Sequence, residues 1–247
     1  MKRTILPPPE DETLDSFFHG RIRVRQKKRG FRFSVDAPLL ASAVEIRPGD
    51  ELCELGTGCG IVSLLLSVKP FGHITALEIQ ETLADLAERN VRLNNLQDRV
   101  TVIRADLREF RPRRRFDVVF SNPPYIKKRQ GPLSLSPEKS VAKHEIKCDI
   151  VDVMRAAGEL LHKKGRAFII FPVKRRADFE RATASGGLTL ASLRCVHPRR
   201  EEPANLFLAR CEFRAASLET RPPLILFEAD GEYTDEARRI FAGRFDG

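Results

Sequence analysis

Four consecutive residues, Asn122-Pro123-Pro124-Tyr125, carry the groups needed to handle a planar amine. The Asn122 Oδ1 can accept one N–H, the Pro123 carbonyl can accept the other, and the Tyr125 ring can stack on the plane that bears the nitrogen. Two prolines in a row keep these groups out of backbone pairing, because proline lacks an N–H and has a fixed φ. All of these residue types except tyrosine are common in turns, so the tetrapeptide alone also fits a plain turn. A second set lies upstream, in Glu54-Leu55-Gly56-Thr57-Gly58-Cys59-Gly60, followed by Glu78 and Asp106. Glycines so spaced allow a tight turn and close approach of a ligand to the backbone. A dinucleotide fingerprint would need its third glycine where Ile61 stands, which disfavours a dehydrogenase. The carboxylate of Glu54 argues against a pyrophosphate and can pair instead with a cationic amino group. Glu78 can accept hydrogen bonds from ribose hydroxyls, and Asp106 from an adenine amino group.

These groups share one place only if the chain between them alternates strand and helix. The pattern predicts strands over 51–55, 73–79, 99–106, 116–121 and 165–172, with helices over 60–68, 81–95, 148–161 and 175–185. Strands over 188–196 and 204–213 complete the set as an antiparallel pair. Single helices between strands specify a mostly parallel sheet covered on both faces. Glu54, Glu78, Asp106 and Asn122 then all fall at carboxyl ends of strands, where open α/β sheets bind ligands. Each acid alone is more often an ordinary surface or capping residue; three at successive strand ends, with a glycine loop after the first, read as a site. Upstream, Asp36 is expected to cap a helix that has Pro38 in its first turn. Gly165 is the expected stop of the helix over 148–161. Residues 1–20 read as an arm without much regular structure, although the alternation in Arg21-Ile22-Arg23-Val24-Arg25 suits a short strand or hairpin.

A net charge of +9 favours a polyanionic partner, nucleic acid or an anionic surface. Basic residues concentrate in Arg21–Arg32, Arg111–Arg115 and Lys127–Arg129. Such runs often form a mere solvated face, but Phe31 and Phe33 beside the first make a phosphate-binding arm the better reading. No apolar run is long enough to span a bilayer and the first residues have no signal-like core, so a cytoplasmic protein is expected. Five cysteines without a C-x-x-C pair predict reduced thiols and no metal site.

Taken together, the glycine loop, Glu78, Asp106 and the Asn-Pro-Pro-Tyr segment resemble the class I S-adenosylmethionine-dependent methyltransferases. Within them the likeness is to the branch that methylates amino nitrogens of adenine, guanine or glutamine. The resemblance runs from about Phe33 to Phe213 and implies a Rossmann-like α/β fold, a seven-stranded sheet with its last strand antiparallel. It implies three parts: a basic N-terminal arm over 1–35, a methyltransferase domain over 36–213 and a small appendage over 214–247. It also implies S-adenosylmethionine as methyl donor and S-adenosylhomocysteine as product. The loop of Gly56, Thr57, Gly58 and Gly60 would lie against the methionine portion with Glu54 nearby. Glu78 would take the ribose hydroxyls and Asp106 the adenine amine, with Ile79 and Leu107 flanking the ring. Asn122, which also borders the cofactor, and Pro123 would orient the target amine while Tyr125 stacks on it.

A finer resemblance, to bacterial valine-tRNA adenine-N6 methyltransferases, rests on GFRFSVDAPLLAS, on His144-Glu145-Ile146-Lys147-Cys148 and on GEYTDEA. It implies an adenine in the anticodon loop of tRNA as target. Such a reaction needs no metal and no strong general base, which makes His144 a structural or RNA-contacting residue more readily than a catalytic one. A protein glutamine methyltransferase is the nearest alternative, because the same four residues fit a glutamine amide. A cofactor-binding RNA adaptor without activity is another. The 34 residues after Phe213 are fewer than a DNA adenine methyltransferase would use to recognise its target.

Overall fold

The computed structural model describes residues 9–28, 35–125 and 148–245. Its centre is a nine-stranded sheet. Seven strands make up its body: β3 (Glu51–Leu55), β4 (His73–Glu78), β5 (Val100–Arg104), β6 (Phe116–Ser121), β7 (Leu161–Pro172), β8 (Thr189–His197) and β9 (Leu206–Glu212). They lie in the order β5-β4-β3-β6-β7-β9-β8, all parallel except β9, which inserts antiparallel between β7 and β8. The α/β expectation, with the last of the seven strands antiparallel, is borne out. Two further short strands, β10 (Glu219–Thr220) and β11 (Leu224–Ile225), pair parallel to β8.

The strands are apolar on both sides because both faces are covered. Leu52, Val118, Phe120, Phe168 and Ile170 point into one core, and their alternate neighbours Cys53, Val119, Ala167, Ile169 and Phe171 into the other. The first core is closed by α1 (Asp36–Ala43), α2 (Ile61–Leu66), α3 (Glu81–Leu93) and α6 (Asp235–Phe241). The second is closed by α4 (Ile150–Leu160) and α5 (Arg176–Ser185). Phe120, Phe171, Phe179 and Phe207 are almost wholly buried, and such a side chain contributes about 1.5–3 kcal/mol. The α4 and α5 layers meet so closely that a Cβ on Gly158 would stand 2.0 Å from the Gly186 carbonyl oxygen.

Several boundaries differ from the sequence expectation. The first segment is not irregular: β1 (Glu12–Phe17) pairs antiparallel with β2 (Ile22–Lys27). Its register is set from outside, by α3. Arg89 grips the buried carboxylate of Glu12 with two bonds of 2.7 and 2.9 Å. Asn94 exchanges two bonds with the backbone of Arg23, and Asn90 does the same with Arg25. Asn90 also donates to the Cys59 carbonyl at 2.9 Å, joining the hairpin to the glycine loop. In α1, Val35 occupies the cap position and Asp36 is the first helical residue. Asp149 caps α4 with a reciprocal capping box through Asp152. That helix ends without help from Gly165, because Leu161 turns extended and pairs with Phe116 in the sheet. Thr234 caps α6, accepting from the Ala237 N–H at 3.2 Å. The segment after Phe213 adds β10 and β11 to the sheet edge and buries Leu224, Ala237 and Ile240 in the first core.

Candidate active site

The site is built at the carboxyl ends of β3, β4, β5 and β6. At the end of β3 the chain turns through Gly56, Gly58 and Gly60, with φ of 73°, 60° and 86°. This left-handed region is costly for residues with a Cβ. A Cβ on Gly56 would enter open space, so the backbone there is bare toward the site. The Thr57 N–H donates to the Leu77 carbonyl at 2.8 Å and pins the loop to β4.

Glu54 lies beneath this loop, only 2% exposed. Its Oε2 accepts from the hydroxyls of Thr57 and Ser63. The carboxylate therefore braces the loop from inside instead of standing open to a ligand. Burial pushes Glu54 from its ordinary 4.5 up to about 7; the bonds from Ser63 and Thr57 oppose the shift and the nearby Glu78 adds to it. The folded protein thus keeps a proton that the unfolded chain has released. This contribution to stability is complete below about 4.5, is lost as pH rises toward about 7, and is constant above. Between about pH 5 and about pH 8 the wild type should lose about 2–3 kcal/mol relative to Glu54→Gln. Parallel denaturation curves for the two proteins across that range would contradict it.

Glu78, at the end of β4, is 5% exposed. One oxygen accepts from the Gly58 N–H at 2.8 Å and the other from the Gln80 N–H at 2.9 Å. Each oxygen retains a further lone pair for a ligand hydroxyl. Ile79 beside it is half-buried, and Leu107 beyond β5 is buried. Asp106 is half-buried and held by Arg108, which reaches both carboxylate oxygens through its side chain and one through its N–H. Those bonds, first of all, hold Asp106 below the usual carboxylate range. Arg108 escaped the sequence reading, though its place two residues from Asp106 was a usable signal.

Asn122 and Pro123 follow β6, which pairs with β3. The Ser121 hydroxyl donates to the Leu55 carbonyl at 2.7 Å and ties the strand ends together, so the amine-handling groups stand beside the glycine loop. The Tyr125 hydroxyl lies 2.7 Å from Asp36 Oδ2 and 3.0 Å from Asn122 Oδ1. Its ring stands edge-on to Phe171, with centroids 5.9 Å apart, and is 36% exposed. Desolvation and then the Asp36 carboxylate raise its phenol above the ordinary value. The sequence reading missed this role for Asp36 and treated it only as a helix cap.

The structure thus brings together the glycine loop, Glu54, Glu78, Ile79, Asp106, Leu107, Asn122, Pro123 and Tyr125. The segment Arg111–Arg115 leads away from them, from the carboxyl end of β5 to the amino end of β6. Arg111 still donates to the carbonyl of Arg108, the partner of Asp106, at 3.0 Å and pairs with Glu159 on its other side. Arg115, directly before β6, lies at the far end of that strand, roughly 20 Å from Asn122 by strand rise, and donates to the carbonyls of Glu159 and Leu161. In the hairpin, Arg21 and Arg23 are exposed while Ile22 and Val24 are buried. Lys127–Arg129 and His144 lie outside the described residues.

The donor set fits S-adenosylmethionine: bare glycine backbone, acids at the ends of β4 and β5, and apolar residues beside each acid. Residues 32–178 match the model of the family described as methyltransferase small domain. The chain is 28% identical over 218 residues to a protein of Dyadobacter fermentans named tRNA1(Val) (adenine(37)-N6)-methyltransferase, covering 87% of this chain and 90% of that one. A protein of the same name from Vibrio campbellii is 26% identical, with 85% and 87% covered. Among solved structures, a predicted O-methyltransferase of Agrobacterium tumefaciens superposes with a TM-score of 0.67 at 24% identity, covering 85% and 97%. TrmN of Thermus thermophilus gives 0.51 at 23%, covering 71% and 47%. At these identities the structural likenesses speak for the fold.

Proposed function

The chain belongs to the methyltransferase small domain family, and from that premise we propose that it methylates the exocyclic N6 amine of an adenine in tRNA, as its relatives' names describe. The tRNA1(Val) adenine 37 of those names is the specific target this reading adopts. The carrying observation is the junction of β3 and β6, where Asn122 and Pro123 stand beside the glycine loop. S-adenosylmethionine, when bound, supplies an electrophilic methyl group and leaves as S-adenosylhomocysteine. The protein's own part is orientation. Asn122 Oδ1 and the Pro123 carbonyl accept the two N–H bonds of the amine, aim its lone pair and meet the positive charge that grows on nitrogen. The methylated ammonium is acidic and yields its proton to water, so no side chain is needed as a base. An adenine must leave its stack to reach this place, which is least costly in an unpaired loop, and Tyr125 receives it by stacking.

The exposed Arg21 and Arg23 of the hairpin support contact with the RNA backbone, and the reading places the reaction in the cytoplasm with its tRNA. Affinity for unmodified tRNA should fall at least about tenfold between about 50 and about 200 mM salt, as two or more phosphate contacts require. A flat dependence by filter binding would contradict the backbone contact. The same amine geometry fits a glutamine amide, but the charge of +9 favours a polyanion. Parallel assays with tRNA and with a glutamine-bearing peptide decide between them: label in tRNA alone supports the proposal, and label in the peptide alone overturns it. Binding of both cofactor and tRNA without turnover would leave the adaptor.

A further inference from the structure

We propose that Asp36 is a positioning residue of the amine-binding groups: by taking the Tyr125 hydroxyl proton it fixes the stacking ring and keeps Asn122 Oδ1 open to the target amine. This rests on the methyltransferase reading above and deepens it.

A phenol has one proton, and here two oxygens compete for it, Asp36 Oδ2 at 2.7 Å and Asn122 Oδ1 at 3.0 Å. The bond to a carboxylate is charge-assisted and is both the shorter and the stronger of the two. The proton therefore resides toward Asp36. Asp36 is itself held firmly: it is 9% exposed in the first turn of α1, whose Leu39 and Leu40 are wholly buried. The tyrosine ring is thus restrained at its hydroxyl by α1 and at its edge by Phe171 of β7, while part of it stays open to solvent. Without the carboxylate the hydroxyl turns its proton onto Asn122 Oδ1. That occupies a lone pair needed by the incoming N–H and releases the ring from α1. One residue, 89 positions away in sequence, thereby sets both the ring plane and the acceptor.

The test is a double-mutant cycle on methyl transfer to tRNA, read as kcat at saturating tRNA and cofactor, with cofactor affinity measured by calorimetry. Asp36→Ala should lower kcat about tenfold or more and leave cofactor affinity within about twofold of wild type. Asp36→Asn, whose amide oxygen still accepts from the phenol, should recover most of that loss. Tyr125→Phe removes the proton in dispute, so adding Asp36→Ala to it should cost almost nothing further. Independent, multiplicative losses in the double variant overturn the proposal, as does an Asp36→Ala defect confined to cofactor affinity. If Asp36→Ala does not fold, Asp36→Leu, of similar size and also without an acceptor, alone and within Tyr125→Phe gives the same comparison: a loss that persists undiminished without the hydroxyl overturns it. The wild type run alongside separates the two ideas. Transfer to tRNA with multiplicative losses removes only the role of Asp36, whereas no transfer by wild type removes the functional reading and this inference together.

Discussion

Asn122→Ala should bind S-adenosylmethionine as wild type does and transfer methyl groups about a hundred to a thousand times more slowly. The estimate is that for removing one preorganised dipole aimed at a developing charge. The amide is half-buried after a strand whose last residue is tied to Leu55, so its backbone should not move when the side chain is cut back. The loss should fall on kcat and on kcat/KM alike, because the second N–H bond and the lone-pair direction matter most as nitrogen becomes tetrahedral. Single-turnover measurements with cofactor affinity alongside check it. Transfer within about tenfold of wild type would mean that the Pro123 carbonyl and Tyr125 orient the amine without the amide.

The second large effect is expected at Glu78, and on affinity instead of chemistry. Its carboxylate accepts from two backbone N–H groups, Gly58 in the loop and Gln80 beyond β4. Glu78→Ala removes the ribose acceptor and leaves both donors unpaired in a site that is 5% exposed. Hydrogen bonds to a charged group contribute about 1.5–3 kcal/mol each, so the cofactor Kd should rise about a hundredfold or more. Glu78→Gln keeps one acceptor oxygen and should fall between. Calorimetric titration reads both variants, and a folded Glu78→Ala protein with a Kd within about threefold of wild type would remove Glu78 from the cofactor site.

Both predictions concern residues whose place was legible from the sequence. The strands read clearly because apolar residues run continuously where two faces are buried, and the glycine loop because only glycine tolerates three left-handed positions so close together. Asn122 declared itself through the prolines that must end a strand. What stayed hidden depended on distant partners. The strand Glu12–Phe17 is polar by composition, and it forms because Arg89 and Asn90 of α3 and Asn94 at its C-cap hold the hairpin. Asp36 read as a cap because its position before a helix suits one, and nothing local signals a tyrosine 89 residues further on. Glu54 read as a partner for a cation, since its burial against Thr57 and Ser63 follows from how the loop folds back over it. The placement of Arg115 was inferable, because a residue that directly precedes a strand must lie at that strand's amino end, whereas nothing local signals that Arg111 reaches back to the Arg108 carbonyl.

The most direct test of the account is methyl transfer from labelled S-adenosylmethionine to tRNA that lacks the modification, followed by digestion to nucleosides. The account predicts label in N6-methyladenosine. Label in any other nucleoside, or none in RNA while cofactor binding is intact, would contradict it.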